Sequence, residues 1–183
     1  MITEGHGPRD NLQMPDGLTE TLARLDATLR PVRDDDADGL IALVGAAFDE
    51  YPGCVLDLPG LDADLVRPAT SAAAASTTFW VVEAAGTLVA SIGAGPRRED
   101  GTVELKRLYV LPSHRRRGLA QGLVALVEAH ARHRGASAID LWSDTRFTEA
   151  HRLYTRLGYI PTGQTRDLHD PSDTTEYHFR RTL

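Results

Sequence analysis

The sequence predicts a mixed α/β fold, a central sheet of about seven strands flanked by about four helices. Three observations carry that expectation. Apolar residues alternate along the chain between the period of a strand and the period of a helix. Glycine and proline fall where the period changes. The resulting order is strand, two helices, three strands, helix, strand, helix and two strands, which suits a sheet covered on both faces. With 183 residues and 42% hydrophobic content, the chain can bury one substantial core.

The elements follow in order. Residues up to about Pro15 read as a flexible leader, and 1–28 as an N-terminal extension ahead of a domain spanning 29–183. Leucines at 18, 22, 25 and 29 keep helical spacing from Asp16, so a short helix is expected there. Leu29 to Arg33 reads as the first strand. Asp34-Asp35-Asp36 then caps a helix whose apolar positions include Ala37, Leu40, Ile41, Val44 and Phe48. Asp49 to Gly60 carries Pro52, Gly53, Pro59 and Gly60 and is a loop. A second helix is expected from about Asp62 to the alanines near residue 74.

Thr77 to Glu83 and Leu88 to Ala94 are the next strands, joined by a tight turn at Ala85-Gly86. After a turn at Arg97 to Gly101, Val103 to Leu111 is the fourth. A helix buries Leu119, Leu123, Val124, Leu126 and Val127, and Gly135 ends it. Ala138 to Trp142 is a strand. Thr148 is placed to cap a helix with Ala150, Leu153, Tyr154 and Leu157 on one face, stopped by Gly158. Tyr159 to Thr165 and Thr175 to Arg180 close the chain as an antiparallel pair.

The most telling stretch is Arg115-Arg116-Arg117-Gly118-Leu119-Ala120, which follows the apolar run Leu108-Tyr109-Val110-Leu111-Pro112 and opens a helix. The first turn of a helix presents unpaired N–H groups and the positive end of the dipole, so this turn is suited to phosphate. Gly118 lets a phosphate approach the backbone without meeting a Cβ. Other phosphate loops fit less well: there is no Gly-x-x-x-x-Gly-Lys-Ser/Thr, and Gly93-Ala94-Gly95 lacks a third glycine at dinucleotide spacing. A solvated basic turn or a nucleic-acid patch is the plain alternative. A net charge of −6 argues against nucleic acid, whose binders carry positive charge more broadly.

With its strand reading Leu-Tyr-Val-x-Pro and its Arg-x-x-Gly-x-Ala turn, the chain resembles the GNAT (Gcn5-related) N-acetyltransferases, and the element order agrees from about Leu29 onward. The resemblance implies a GNAT-type sheet and acetyl-CoA as acetyl donor. The backbone of Leu108, Tyr109 and Val110 would bond the pantetheine like an added strand. Amides around Arg116, Arg117, Gly118, Leu119, Ala120 and Gln121 would hold the pyrophosphate, and the side chains of Arg115, Arg116 and Arg117 would attract phosphate.

Acetyl transfer from a thioester to an amine needs a neutral amine, a stabilised oxyanion and a protonated leaving thiolate. Most amines are protonated at neutral pH, so a base is required. Glu104 is the candidate, at a spacing from Arg115 similar to that of catalytic glutamates in some family members. Strand parity with Leu108 and Val110 would put it on their face of the sheet. The plain alternative is a carboxylate paired with Lys106 or Arg180. Tyr154 is the candidate acid, occupying the Leu-Tyr-x-x-x-Gly-Tyr position that the resemblance implies for a phenol near the CoA sulfur; a core tyrosine is its alternative. One position departs from the pattern. Phe147 stands where the family often carries an asparagine, so that part of the cofactor grip must come from elsewhere, with Ser143 or Thr145 as candidates, or be absent.

Other signals imply less. Asp34-x-Asp36-x-Asp38-Gly39 imitates a calcium loop, but its twelfth position is Gly45, and a helix cap explains it better. His130 and His133 have no third ligand in view, and no metal is expected. Cys54 is the only cysteine, which excludes an internal disulfide and suits a reducing compartment. No signal peptide or membrane-length apolar run is evident, so a cytoplasmic protein without membrane partners is expected. Carboxylates at Asp49, Glu50 and Asp57, and at Asp167, Asp170, Asp173 and Glu176, could rim the acceptor site and attract a cationic amine, although solvated loops account for them as well.

The leading function is therefore an acetyl-CoA-dependent N-acetyltransferase acting on a primary amine of a small molecule or peptide, with a homodimer left open. A non-catalytic acyl-CoA-binding sensor is the alternative, and it would need neither Glu104 nor Tyr154.

Overall fold

The computed structural model describes residues 14–183, so most of the expected leader lies outside the described residues. Helix α1 (Asp16–Leu25) ends at Asp26, whose φ of 49° reverses the chain into strand β1 (Ala27–Pro31). Leu29 therefore belongs to β1 and not to the leucine stripe, because the left-handed residue breaks the helical period first. Helix α2 (Ala37–Phe48) follows a single turn of 3-10 helix at Asp34–Asp36. The acidic run is consumed there. Asp36 accepts the Arg33 N–H at 2.7 Å and both Arg30 Nη atoms at 2.8 Å, tying the helix start to β1. Asp34 accepts from the Thr70 N–H at 2.9 Å and its hydroxyl at 2.6 Å.

The second expected helix is broken in two. Ala63–Leu65 is 3-10 helix and α3 is Pro68–Ala74. Pro68 cannot continue a helix and bars the residue before it from helical angles; Arg67 sits at φ −137°, ψ 71°.

Strands β2 (Thr78–Ala84), β3 (Thr87–Ala94) and β4 (Thr102–Val110) lead to α4 (Leu119–His133), β5 (Ala138–Asp144), α5 (Thr148–Arg156), β6 (Ile160–Asp167) and β7 (Thr175–Thr182). They form one seven-stranded sheet in the order β1-β2-β3-β4-β5-β7-β6, with β4 and β5 parallel and the other neighbours antiparallel. Helices α1, α4 and α5 share one core with the sheet, around Leu18, Leu22, Leu123, Val127, Ile139, Tyr154 and Phe179. Helix α2 packs a second core on the opposite face, around Leu40, Leu43, Val44, Phe79 and Val81. Buried Glu128 of α4 accepts from Arg181 at 2.5 Å and from the Tyr159 hydroxyl at 3.3 Å, pinning α4 to the end of β7. No helix among the described residues is long and apolar enough to cross a membrane.

Two irregularities decide where a site can form. The parallel pairing of β4 with β5 covers Thr102–Glu104 against Ala138–Asp140 and then stops, so the strands part toward their C-terminal ends. Strand β4 also carries a bulge. Lys106 faces Gly93 and Tyr109 faces Ser91, leaving Arg107 and Leu108 together opposite Ile92. Arg107 takes a φ of 52°, and its carbonyl accepts the Ser91 hydroxyl at 2.8 Å.

The bulge resets the alternation. Val103 and Leu105 share a core with Leu108 and Val110. Glu104 consequently lies on the other face, and the parity that would join it to Leu108 and Val110 is corrected by one residue. A second correction concerns α5. Phe147 holds its N-cap position without a side-chain cap, and Thr148 is its first helical residue.

The docking of α1 on α4 depends on Gly122, where a Cβ would stand 2.9 Å from Leu18 Cδ1 and 3.2 Å from its Cα. Gly122→Val should lower stability by about 1–3 kcal/mol, since overpacking outweighs the few tenths gained in helix propensity. Denaturant unfolding checks this; an unchanged midpoint would mean that α1 contributes little to the core.

Candidate active site

The parting of β4 and β5 opens a cleft of about 570 Å³ beside the turn that precedes α4. Leu108, Tyr109 and Val110 form one wall, and α5 supplies Ala150, Leu153, Tyr154 and Arg156 on the other. Arg115, Arg116, Gly118, Leu119, Ala120 and Gln121 close the end. Arg117 does not line the cleft; its carbonyl accepts from Arg24 at 3.4 Å.

The turn is shaped by two left-handed residues, Arg116 at φ 59° and Gly118 at φ 88°. Glycine suits position 118 for a reason local to the fold as well: a Cβ there would stand 3.2 Å from Thr21 Oγ1. The N-cap residue of α4 is Gly118, which has no side chain to cap it, so the first N–H groups of the helix lack that partner beside the cleft. Val110 turns its carbonyl away from β3, and Arg115 Nε donates to it at 2.9 Å. Arg115 Nη1 also meets Glu50 at 2.7 Å, which ties the loop after α2 to the turn.

A second cavity of about 650 Å³ lies across the sheet, against the α2 side. The two share Leu108, Tyr109, Phe147, Ala150 and Tyr154, so they meet at a junction walled largely by aromatic rings. Phe147 packs on Tyr51 at 4.7 Å and on Phe48 at 5.9 Å between centroids. This ring occupies the place of the expected polar amide. Of the two candidate replacements, Ser143 lines the second cavity, whereas Thr145 lines neither and gives its N–H to Thr175.

Tyr154 is buried between Tyr159 and Phe179, with centroids 5.9 and 5.8 Å away. Its hydroxyl has no hydrogen-bond partner among the described residues. Burial, reinforced by Tyr109, holds the phenol well above its ordinary range, so it stays protonated at neutral pH. Tyr109 is likewise pushed up to about 12 by burial, against the opposing charge of Arg107.

The second cavity is acidic. Asp62, Asp64, Glu104, Asp144, Asp170 and Glu176 line it, against Lys106, Arg107 and Arg166. Each of those cations is engaged, Lys106 by Glu104 at 3.8 Å. Arg107, turned by the bulge, reaches Asp62 at 2.7 Å and Asp64 at 2.5 Å. Arg166 donates to Glu176 at 2.6 Å and stacks over Trp142 at 4.4 Å.

Glu104 has looser company, Arg98 at 3.5 Å and Lys106 at 3.8 Å, and Arg180 is not among its partners. Arg98 is anchored by the Thr102 hydroxyl at 2.8 Å and by Asp140. Burial raises the Glu176 carboxyl above its usual range; Arg166 opposes this, while Asp144 and Glu104 add to it.

Sequence reading did not single out Arg98, Arg107, Trp142 or Arg166. Alternation along β5 could have put Trp142 on the face of Asp140 and Asp144. No sequence signal places β6, which carries Arg166, outside β7 in the sheet.

Comparison with known proteins agrees with this architecture. Residues 42–159 match the profile of the Acetyltransferase (GNAT) family. The N-acetylaspartate synthetase of Danio rerio is 32% identical over 126 residues, covering 68% of this chain and 43% of that protein. The chain spans about half the length of the curated relatives it matches. An acetyltransferase of the GNAT family from Staphylococcus aureus Mu50 superposes with a TM-score of 0.71 at 18% identity, over 86% of this chain and 99% of that one. The yncA putative acetyltransferase of Salmonella typhimurium, solved with its cofactor acetyl-CoA, gives a TM-score of 0.63 at 19% identity, over 86% and 94%.

Proposed function

Since the chain belongs to the GNAT family of acetyltransferases, we propose that it moves an acetyl group from acetyl-CoA directly to a primary amine of a small molecule or peptide. The observation that carries this reading is the pair of cavities meeting at Tyr154, with a basic turn and an open helix end on one side and carboxylates on the other. A charged donor with a long flexible arm suits the first cavity. Uncapped amides at the start of α4, with Arg115 and Arg116, attract its phosphates. Val110 and its neighbours offer backbone groups on the strand edge that β5 has left free. A cationic amine suits the second cavity, where carboxylates outnumber cations.

Bound acetyl-CoA would supply an activated thioester. The amine reaches it neutral when Glu104, directly or through water, takes its proton. Nitrogen then bonds to the carbonyl carbon as the carbon–sulfur bond breaks, and Tyr154 gives its hydroxyl proton to the departing sulfur. The proton that the new amide nitrogen sheds returns to the phenolate, directly or through water. Burial suits the phenol to that role by keeping its proton in place until a thiolate forms. An acyl-CoA sensor would require no carboxylate in the second cavity and no phenol at the junction, so the enzyme reading is favoured. Screening a panel of primary amines for CoA release from acetyl-CoA tests it; no release with any amine would count against catalysis.

Gln121 lies in the first turn of α4, is exposed and lines the first cavity. Gln121→Glu keeps its size and adds one negative charge that the helix dipole tolerates. Calorimetry should show acetyl-CoA binding weakened about tenfold, roughly 1.4 kcal/mol, with stability unchanged. Equal affinity would move the phosphates elsewhere.

Glu104→Gln should reduce turnover at pH 7 by about 10²-fold or more while sparing acetyl-CoA affinity. The deficit should shrink as pH rises, because solvent can then deprotonate the amine. A variant matching wild type at pH 7 would remove Glu104 as the base.

Tyr154→Phe keeps the ring and deletes a hydroxyl that bonds to nothing among the described residues. Melting temperature should barely move, since no buried hydrogen bond worth about 1 kcal/mol is lost. Maximal rate should fall by up to about 10²-fold, as water replaces the phenol only in part. Full activity would leave the leaving-group acid unassigned.

A further inference from the structure

The acceptor cavity does not end at Glu104. It continues past the parted strands to a place where β5, β7 and β6 lie side by side and present Trp142, Glu176 and Arg166. Register sets the separation of the two glutamates. Glu104 neighbours Asp140 on β5, whereas Glu176 faces Asp144, four residues farther along that strand. At about 3.3 Å per residue this is about 13 Å along the strand. One amino group cannot serve both carboxylates.

We propose that Glu176 is a specificity-determining residue that holds a second positive charge of the acceptor, so that the acceptor class is an amine with another cationic group a short chain away. This rests on the second cavity being the acceptor site. Glu176 differs from an ordinary cross-strand surface pair. Its side chain is 14% exposed although Arg166, its partner, is 42% exposed. Its carboxyl rises above the usual range despite a guanidinium at 2.6 Å, because burial and the charges of Asp144 and Glu104 outweigh that contact. Asp144 is answered by Arg146 at 2.6 Å and Glu176 by Arg166, but the Asp170 carboxylate bonds only Thr174 among the described residues. Carboxylates therefore still outnumber cations along the cavity, and a further cation is favoured there. The aromatic wall suits the same ligand: Trp142 already carries a guanidinium 4.4 Å above its ring.

The probes are 1,5-diaminopentane and 1-aminopentane, which share a carbon chain and differ in one ammonium group. Calorimetry should show wild type binding the diamine at least about tenfold tighter, and Glu176→Gln should bring the ratio close to one. Arg166→Gln, which frees Glu176, should shift the ratio the opposite way and raise the diamine preference several-fold. That variant keeps the test decisive if Glu176→Gln fails to fold. Equal affinities in wild type, no binding of either amine, or a preference that survives Glu176→Gln would each overturn the assignment. Because binding is read without turnover, the result on Glu176 stands apart from the enzyme reading, which the wider amine panel tests.

Discussion

Everything distinctive about this molecule follows from three residues of parallel pairing between β4 and β5. Thr102, Val103 and Glu104 hold the two halves of the sheet together, and beyond them the strands separate. A sheet that stayed paired would have no cleft, because its backbone groups would be spent on each other. Once the strands part, the edge of β4 lies open, α5 can approach from the β5 side, and the turn before α4 closes one end. Helix α4 braces this open arrangement, starting at the glycine turn and bonded farther along, through buried Glu128, to β7.

The bulge at Arg107 supplies the second half of the design. It inserts one residue, so that Leu108 and Val110 stay with the main core while Glu104 and Tyr109 line the opposite side. It also aims Arg107 at Asp62 and Asp64, bracing the segment before α3 against the sheet. One left-handed residue thereby sets Val110 in the wall of the first cavity and Glu104 in the lining of the second. Backbone irregularity next to a site of this kind is expected, since it re-aims side chains that regular alternation would misplace.

Charge is distributed to match. Positive potential collects at the Arg115–Arg116 turn and the open end of α4, and negative potential across the sheet. Between them stands a junction walled by Tyr109, Phe147 and Tyr154, where a buried phenol keeps its proton. Phe147 makes that junction more apolar than an amide would, and its contacts with Phe48 and Tyr51 give the loop after α2 a place to rest. The Arg115–Glu50 pair holds the same loop to the turn.

The sequence by itself determined the element order, the apolar stripes of α4, the glycine turn and the aromatic end of α5. These are local matters, decided by periodicity, by φ preferences and by which backbone groups a turn leaves open. Leu123 and Val127 are buried for the reason their spacing announces, and Gly118 is left-handed where a glycine was needed. Only the tertiary structure decided the rest. The face of Glu104 depends on an inserted residue whose angles no local pattern betrays. The break before Pro68 was legible in principle but hidden by helical composition on both sides. The meeting of Arg98, Trp142, Arg166 and Glu176 with the β4 carboxylate depends on β7 passing between β5 and β6. Strand neighbours are chosen by the burial of whole faces, and residues distant in sequence become one site only after that choice is made.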